Sequence, residues 1–437
     1  MTIPLSGSRR WQFAAVVVFC ACIYVFMAGN DFVASVFAAR PELSKLERAV
    51  RMSPGNADYR HRLGRYLEFV AGDPQSAIES LRSAVALDPH DAHYWFDLAS
   101  AYQVTGDTTG QRAALDHALQ AEPTAPDVAW EAANFFLIDG DIDHALREFR
   151  VVIANEDSLR DAALSASWRA RPDTEALLRE VVPDRPDTLL SFAALLISKH
   201  ETDGSIKVWE RIAQSHQKVQ RRNLYSYVQY LIEARRPDAA MQVWTENADT
   251  LGLSAYLPTE GNLVVNGDFS LDILNGGFDW TYVDRVGVRP VLDPTDFRQG
   301  HRSLRITFQG PGINDAGIQQ IIPVHPATTY DFSAYYKSKE FEGAGGPQIV
   351  LRDAYSNAPL YTSGPLTDAD FWKAAHSKVI TNDATTLLVL NIERFPAGSP
   401  IRGDLWLGDF ELAPEAAPDD SSDQPRGNSH ATSRDQP

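Results

Sequence analysis

Side chains able to grip a ligand are most concentrated in the stretch Thr329 to Lys337, which reads Thr-Tyr-Asp-Phe-Ser-Ala-Tyr-Tyr-Lys. Alternation along a strand puts Tyr330, Phe332 and Tyr336 on one face and Asp331, Ser333, Tyr335 and Lys337 on the other. The first set reads as core and the second as an outward face. Other chemistry is harder to assemble. His90 and His93 stand at i, i+3 without further ligands, so a solvated helix start is the better reading. Cys20 and Cys22 both lie in an apolar N-terminal run, away from any thiol metal or redox pattern. Gly343-Ala344-Gly345-Gly346 lacks the strand-to-helix context of a dinucleotide loop and reads as a hairpin tip. Gly-x-Ser-x-Gly, His-Glu-x-x-His and Gly-x-x-x-x-Gly-Lys do not occur.

The elements that would hold these residues are bounded by composition. With 437 residues the chain has length for two to four folding units, and 44% apolar with 10% aromatic residues is the profile of packed cores. A net charge of −18 repels phosphate backbones and anionic headgroups, so nucleic acid is excluded as a partner and no polybasic membrane patch is present.

Arg9 and Arg10 precede an uncharged run from Trp11 to Asn30. Its Phe, Val and Ile side chains each favour insertion by about 0.3 to 0.6 kcal/mol, and its length matches a hydrocarbon layer of about 30 Å. The run reads as one transmembrane anchor, 11–30, behind a cytoplasmic N-terminus, 1–10, with the bulk of the chain outside. The alternative is a cleaved signal peptide, with small residues at Ser35-Val36-Phe37-Ala38-Ala39, but a secretory apolar segment is usually shorter. No disulfide and no Asn-x-Ser/Thr sequon lie outside the anchor, which accords with a bacterial inner-membrane protein facing the periplasm.

From 41 to 250 the sequence repeats itself. Acidic-Pro or Ser-Pro steps place prolines at 54, 89 and 123, and Gly-Asp pairs at 72–73, 106–107 and 140–141 recur every 34 residues. Each unit reads as a helix opening at or just after the proline, a turn at Gly-Asp and a second helix. Degraded copies follow, with Lys207-Val208-Trp209 and Gln242-Val243-Trp244 in second helices and turns at Asp203-Gly204 and Arg236-Pro237-Asp238. A lone hairpin cannot bury its face, so the units stack as a solenoid. This stretch resembles the tetratricopeptide repeat family. The resemblance implies a concave groove for a protein or peptide, with Arg65, His93, Phe96, Trp130 and Asn134 projecting into it.

After Leu253 helical spacing gives way to short alternating runs such as Leu304-Arg305-Ile306-Thr307-Phe308, the pattern of an antiparallel sandwich over 259–413. Asn262-Leu263-Val264-Val265-Asn266-Gly267-Asp268-Phe269-Ser270, Gly300 to Ile306, Thr329 to Lys337 and Leu405 to Leu412 together resemble the jelly-roll carbohydrate-binding modules attached to xylanases and cellulases. That resemblance implies a glycan face, with Tyr335 stacking on a sugar ring and Arg352, Asn391 or Glu393 on adjacent strands as polar contacts. It also implies a structural calcium near Asp268 and Asp409. Beyond 413 the chain, 414–437, holds no large apolar residue and reads as a solvated tail.

The expected architecture is therefore a multidomain chain: transmembrane helix, all-α tetratricopeptide-like solenoid, all-β jelly roll. The expected task is non-catalytic: an envelope adaptor whose repeats hold a protein and whose sandwich holds glycan, in polysaccharide assembly or export. The alternative is a glycan-active enzyme drawing a carboxylate pair from the chain's 58 acidic side chains.

Overall fold

The computed structural model describes residues 8–216, 218–367 and 369–415; the expected tail, beyond 415, and residues 1–7 lie outside the described residues. The chain divides into two compact units, Met1–Val208 and Trp209–Pro437.

The first unit is helical. Helix α1 (Ser8–Ala38) is followed by α2 (Leu43–Met52) and then by antiparallel hairpins: α3 (Ala57–Tyr66) with α4 (Pro74–Leu87), α5 (Ala92–Thr105) with α6 (Thr108–Ala121), and α7 (Pro126–Ile138) with α8 (Ile142–Asn155). Shorter α9 (Arg160–Ala170) and α10 (Thr174–Glu180) follow, then α11 (Pro186–Ser198) and α12 (Thr202–Gln214), which crosses the unit boundary. The Gly-Asp repeat is a terminator joined to an initiator. Gly72, Gly106 and Gly140 take φ of 67°, 76° and 77°, the left-handed turn that closes the first half of each hairpin, Gly72 after a π-helical turn (Leu67–Ala71) that continues α3. The carboxylates of Asp73, Asp107 and Asp141 then accept from the backbone N–H of Ser76, Gly110 and His144, capping the second helix.

Helix α1 continues beyond the uncharged run that ends at Asn30, on to Ala38, and Ala34 and Ala38 are buried against Ala49 of α2 and Tyr59 of α3. Asn30 Nδ2 donates to the Met52 carbonyl at 2.7 Å, and the Arg48 guanidinium lies 4.7 Å above the Phe37 ring. Asp203-Gly204 is not a turn but the first turn of α12; His200, at φ 61°, makes the left-handed step instead. Gly204 is small because the Thr174 hydroxyl lies 2.6 Å from where a Cβ would sit.

The second unit opens with the end of α12 and the hairpin α13 (Arg221–Glu233) and α14 (Pro237–Leu251). Its strands are β1 (Thr281–Tyr282), β2 (Val288–Asp293), β3 (Ser303–Gly312), β4 (Asp315–Pro323), β5 (Thr329–Glu342), β6 (Gly346–Asp353), β7 (Pro359–Thr362), β8 (Lys373–Ile380), β9 (Leu387–Phe395) and β10 (Pro400–Pro414). They form two antiparallel sheets, β1-β4-β9-β6-β7 and β2-β3-β10-β5-β8. Leu388, Leu390 and Ile392 of one sheet meet Leu405, Leu407, Tyr330 and Phe332 of the other in a single core. The chain is thus an all-α solenoid followed by a β-sandwich.

The hairpin α13–α14 packs on this sandwich. Trp244 is fully buried, its Nε1 donates to the Tyr256 carbonyl at 3.1 Å, and its ring meets Phe278 edge-on at 6.0 Å. Tyr355 Oη donates to the Ile232 carbonyl at 3.0 Å, with the Arg235 guanidinium 4.8 Å above the tyrosine ring.

Candidate functional site

In the repeats, contacts join the first helices of successive hairpins. Arg65 Nε on α3 lies 3.5 Å from Asp97 Oδ2 on α5, and His61 hydrogen-bonds the same carboxylate. On α5, His93 sits 3.7 Å from Glu131 and 3.9 Å from Asp127 of α7. Burial pushes the Glu131 carboxyl above its ordinary range, with the nearby Asp97 and Asp127 charges adding to it and His93 opposing. Trp130 is half-buried with its ring edge-on to Phe149, and Asn134 Nδ2 bonds back to the Trp130 carbonyl at 2.7 Å. Arg65 and His93 are exposed. Phe96 is not in this set. It is 1% exposed and shares the inward face of α5 with Ala92 and Ala99, at i, i+4 and i+7. Its expected place in the groove is corrected to core. The sequence reading missed Asp97, one helical turn after His93 on α5, and Glu131, beside Trp130 on α7.

On the sandwich the alternation of β5 is as expected: Tyr330 and Phe332 are buried, Tyr336 packs on the core, and Tyr335 faces outward. The predicted glycan set nevertheless splits. Tyr335 lies on β5 of one sheet, whereas Arg352 on β6 and Asn391 and Glu393 on β9 belong to the other. They are not on strands adjacent to Tyr335. The Tyr335 ring is also covered, because the Arg298 guanidinium stacks 3.5 Å from its centroid. Beside it Lys337 Nζ donates to Asp296 at 2.5 Å and Trp406 Nε1 donates to Asp293 at 2.9 Å, so the loop after β2 closes this face.

Arg298 bears on the expected calcium as well. Its Nη1 donates to Asp409 Oδ2 at 2.9 Å, while Asp268 accepts from the Ser270 backbone N–H at 3.1 Å and the Ser270 hydroxyl at 2.6 Å. Calcium takes about six to eight oxygen ligands. Among the described residues no group of three or more His, Cys, Asp and Glu side chains is arranged for a metal. A guanidinium already neutralises Asp409, and the donors present do not fit calcium.

Arg352, Asn391 and Glu393 do come together on the outer face of the first sheet. Arg352 grips Glu393 through two bonds of 2.7 and 2.8 Å, and the pairing holds the guanidinium above its ordinary pKa. Asn391 and Glu393 also line a cavity of about 330 Å³ along the β4–β9 seam, together with Arg285, Asn314, Asp315, Gln319 and Arg394. A β-bulge shapes it. The register shifts between Asp315 opposite Glu393 and Gln319 opposite Asn391. Gly317 at φ 73° sits in the bulge, where a Cβ would fall 2.1 Å from the Val283 carbonyl. Asp315 Oδ1 accepts from the Gly317 N–H at 2.7 Å and from Arg285 Nε at 3.0 Å. Among the described residues the side-chain amides of Gln319 and Asn391 have no hydrogen-bond partner, which leaves donors and acceptors facing solvent from neighbouring strands. The signal that would have found Gln319, Arg285 and Asp315 is the bulge glycine beside an alternating polar strand.

The tetratricopeptide repeat profile matches residues 43–92 and 66–126. Among solved structures the chain is similar to PilF from Pseudomonas aeruginosa, with TM-score 0.26 and 16% identity over 52% of this chain and 95% of that one. It is also similar to a CBM4 structure, with TM-score 0.28 and 18% identity over 35% of this chain and 99% of that one. The CBM22-1 xylan-binding domain from Paenibacillus barcinonensis gives 0.24 and 18% over 35% and 93%. No curated protein matches this chain. The chain carries tetratricopeptide repeats over residues 43–126 and, in its C-terminal part, an antiparallel β-sandwich.

Proposed function

We propose that this chain is a non-catalytic, membrane-anchored adaptor of a bacterial envelope, whose repeats hold a protein partner and whose sandwich holds glycan during polysaccharide assembly or export. The observation that carries the glycan half is the β4–β9 cavity, with unpartnered amides on Gln319 and Asn391 beside the Arg285–Asp315 and Arg352–Glu393 pairs. Amides and paired charges on a rigid sheet are suited to sugar hydroxyls, each of which both donates and accepts. The groove half rests on Arg65, His93 and Trp130, presented beside one another by successive hairpins. Helix α1 is long and apolar enough to cross a membrane. Its packed end at Ala34 and Ala38 favours an uncleaved anchor, since cleavage near Ala39 would strip that packing from α2 and α3.

The test is calorimetry of full-length protein in detergent against a panel of neutral and acidic tetrasaccharides. We expect binding to at least one, weakened tenfold or more by Gln319→Ala with Asn391→Ala at unchanged melting temperature, and no release of reducing ends. Absence of binding across the panel removes the glycan role, and release of reducing ends that is lost in Asp315→Asn or Glu393→Gln installs the enzymatic alternative.

A further inference from the structure

Among the described residues between Leu43 and Leu251, the exposed large apolar side chains are Leu43, Phe69, Val70, Leu87, Val104 and Ile138. Four of them lie on one edge of the solenoid. Val70, Val104 and Ile138 recur every 34 residues, each two positions before the left-handed glycine that closes a first half-hairpin. They are 66%, 65% and 71% exposed, so the same position in three successive repeats offers an aliphatic group to solvent. A contiguous row of this kind, unlike scattered apolar residues, marks a surface for contact.

The first repeat keeps this phase despite an extra residue. Its buried small residue, Gly64, precedes Gly72 by eight positions, whereas Ala99 precedes Gly106 and Ala133 precedes Gly140 by seven. The π-helical turn absorbs the extra residue, so Val70 stays in line with Val104 and Ile138, and Phe69 is turned outward beside it.

The spacing and charge of the row select a partner. The first helices stand side by side, tied by His61 and Asp97 between α3 and α5, and by the Phe96 and Phe135 rings, 6.0 Å apart, between α5 and α7. Neighbouring helix axes lie about 10 Å apart. A helix laid across the row advances about 10.5 Å in seven residues and so places one side chain on each repeat. An extended strand covers about 10 Å in three residues, an odd number that sends alternate side chains to opposite faces. Carboxylates flank the row: Asp73, Asp107 and Asp139 are exposed, bonded to Ser76, Gly110 and Gln111, and in no ion pair among the described residues. Nearby guanidiniums are already matched, Arg112 by Asp116 and Asp141, Arg62 by Asp58 and Arg65 by Asp97. Lipid is a poor occupant. Phe69 and Val70 share a cavity with Ala38 and Ala39, about 12 Å along the chain beyond the uncharged run that ends at Asn30, and unpaired carboxylates repel anionic headgroups.

We infer that the edge formed by Val70, Val104 and Ile138 docks a basic amphipathic helix of a protein partner, with an apolar side chain every seventh residue on the row and Lys or Arg beside Asp73, Asp107 and Asp139. This goes beyond the groove reading, since none of these residues belongs to the groove set.

The experiment is fluorescence anisotropy of a labelled 18-residue Ala/Lys peptide with leucine at every seventh position, titrated with the full chain in phosphatidylcholine nanodiscs and corrected with empty ones. Two control peptides carry the leucines at every fifth position or glutamate in place of lysine. The first peptide is expected to bind tenfold or more tightly than either control, and tenfold or more weakly to Val104→Ser with Ile138→Ser at unchanged melting temperature. Equal binding of the fifth-position peptide would be mere attraction of cations to a chain of net charge −18 and overturns the inference. Binding that survives the double serine variant, or no binding at all, overturns it as well. Binding lost instead in Arg65→Ala with His93→Ala places the helix in the groove, which overturns this inference while the groove reading stands.

Discussion

Asp279 shows what a single buried carboxyl does to this fold. It is fully buried, accepts from the Leu274 N–H at 2.7 Å through Oδ2, and has no partner at Oδ1. Burial pushes its pKa from 3.8 up to about 6. A raised carboxyl pKa means that the folded state holds its proton more tightly than the unfolded one. The resulting stability is present in full below about pH 3.8 and is lost as pH rises through about 6. Two pKa units correspond to about 3 kcal/mol, an order-of-magnitude figure. Asp279→Asn, which stays neutral, should therefore raise the melting temperature at pH 7.5 and give no advantage at pH 4. Thermal melts of both proteins at the two pH values check this, and an equal effect at both would show that charge is not the cause. Arg298 makes the complementary point, since by sitting on Asp409 and over Tyr335 it removes two expected functions, a metal ligand and a sugar platform, at one stroke.

At the level of elements, the glycines divide into those that only turn the chain and those that also clear space. Gly140 has φ 77° and open space where a Cβ would be. Gly277 has φ 65° and the Trp244 ring within 2.2 Å of that position. Alanine at Gly140 should cost about 1 kcal/mol from backbone strain alone. At Gly277 the same strain adds to overpacking, and about 3 kcal/mol is expected. Hydrogen exchange distinguishes the two: Gly277→Ala should lower protection in α14 while the sheet amides of β9 and β10 keep theirs. Equal losses for both variants would mean that Trp244 does not depend on close approach of this loop. The legibility of the elements follows the same division. Period, caps and turns are local properties, and the Gly-Asp spacing revealed the hairpins because each carries its own terminator and initiator. Gly204 misled because its smallness serves a contact with Thr174, 30 positions away in sequence, rather than a turn. Phe96 misled for a related reason: family register assigned it a direction, but α5 turns its Ala92–Phe96–Ala99 stripe inward.

For the molecule as a whole, the sequence announced a helical part and a sheet part but not which strands would share a sheet. Tyr335 was grouped with Arg352 and Asn391 because strand adjacency in a sandwich is fixed by long-range pairing, β5 with β10 and β4 with β9, which no local pattern encodes. The loop that carries Arg298 over Tyr335 is equally remote from it in sequence. The leader is a whole-chain question too. If α1 is retained as an anchor, alkaline carbonate should leave the protein in the membrane pellet, and its mature N-terminus should precede Trp11. A soluble chain beginning near Ala39 would instead lack the helix that covers Ala49 and Tyr59, and its repeats should melt at lower temperature than those of the full chain.

Helix α1 has no break between its apolar run and its packed end. If α1 is held in a bilayer, a helix continuous from Ser8 to Ala38 would make the first repeats move with it, at a set height and heading. Cargo held by those repeats would stand at a constant distance from the lipid surface, and a glycine linker inserted after Asn30 should abolish that spacing.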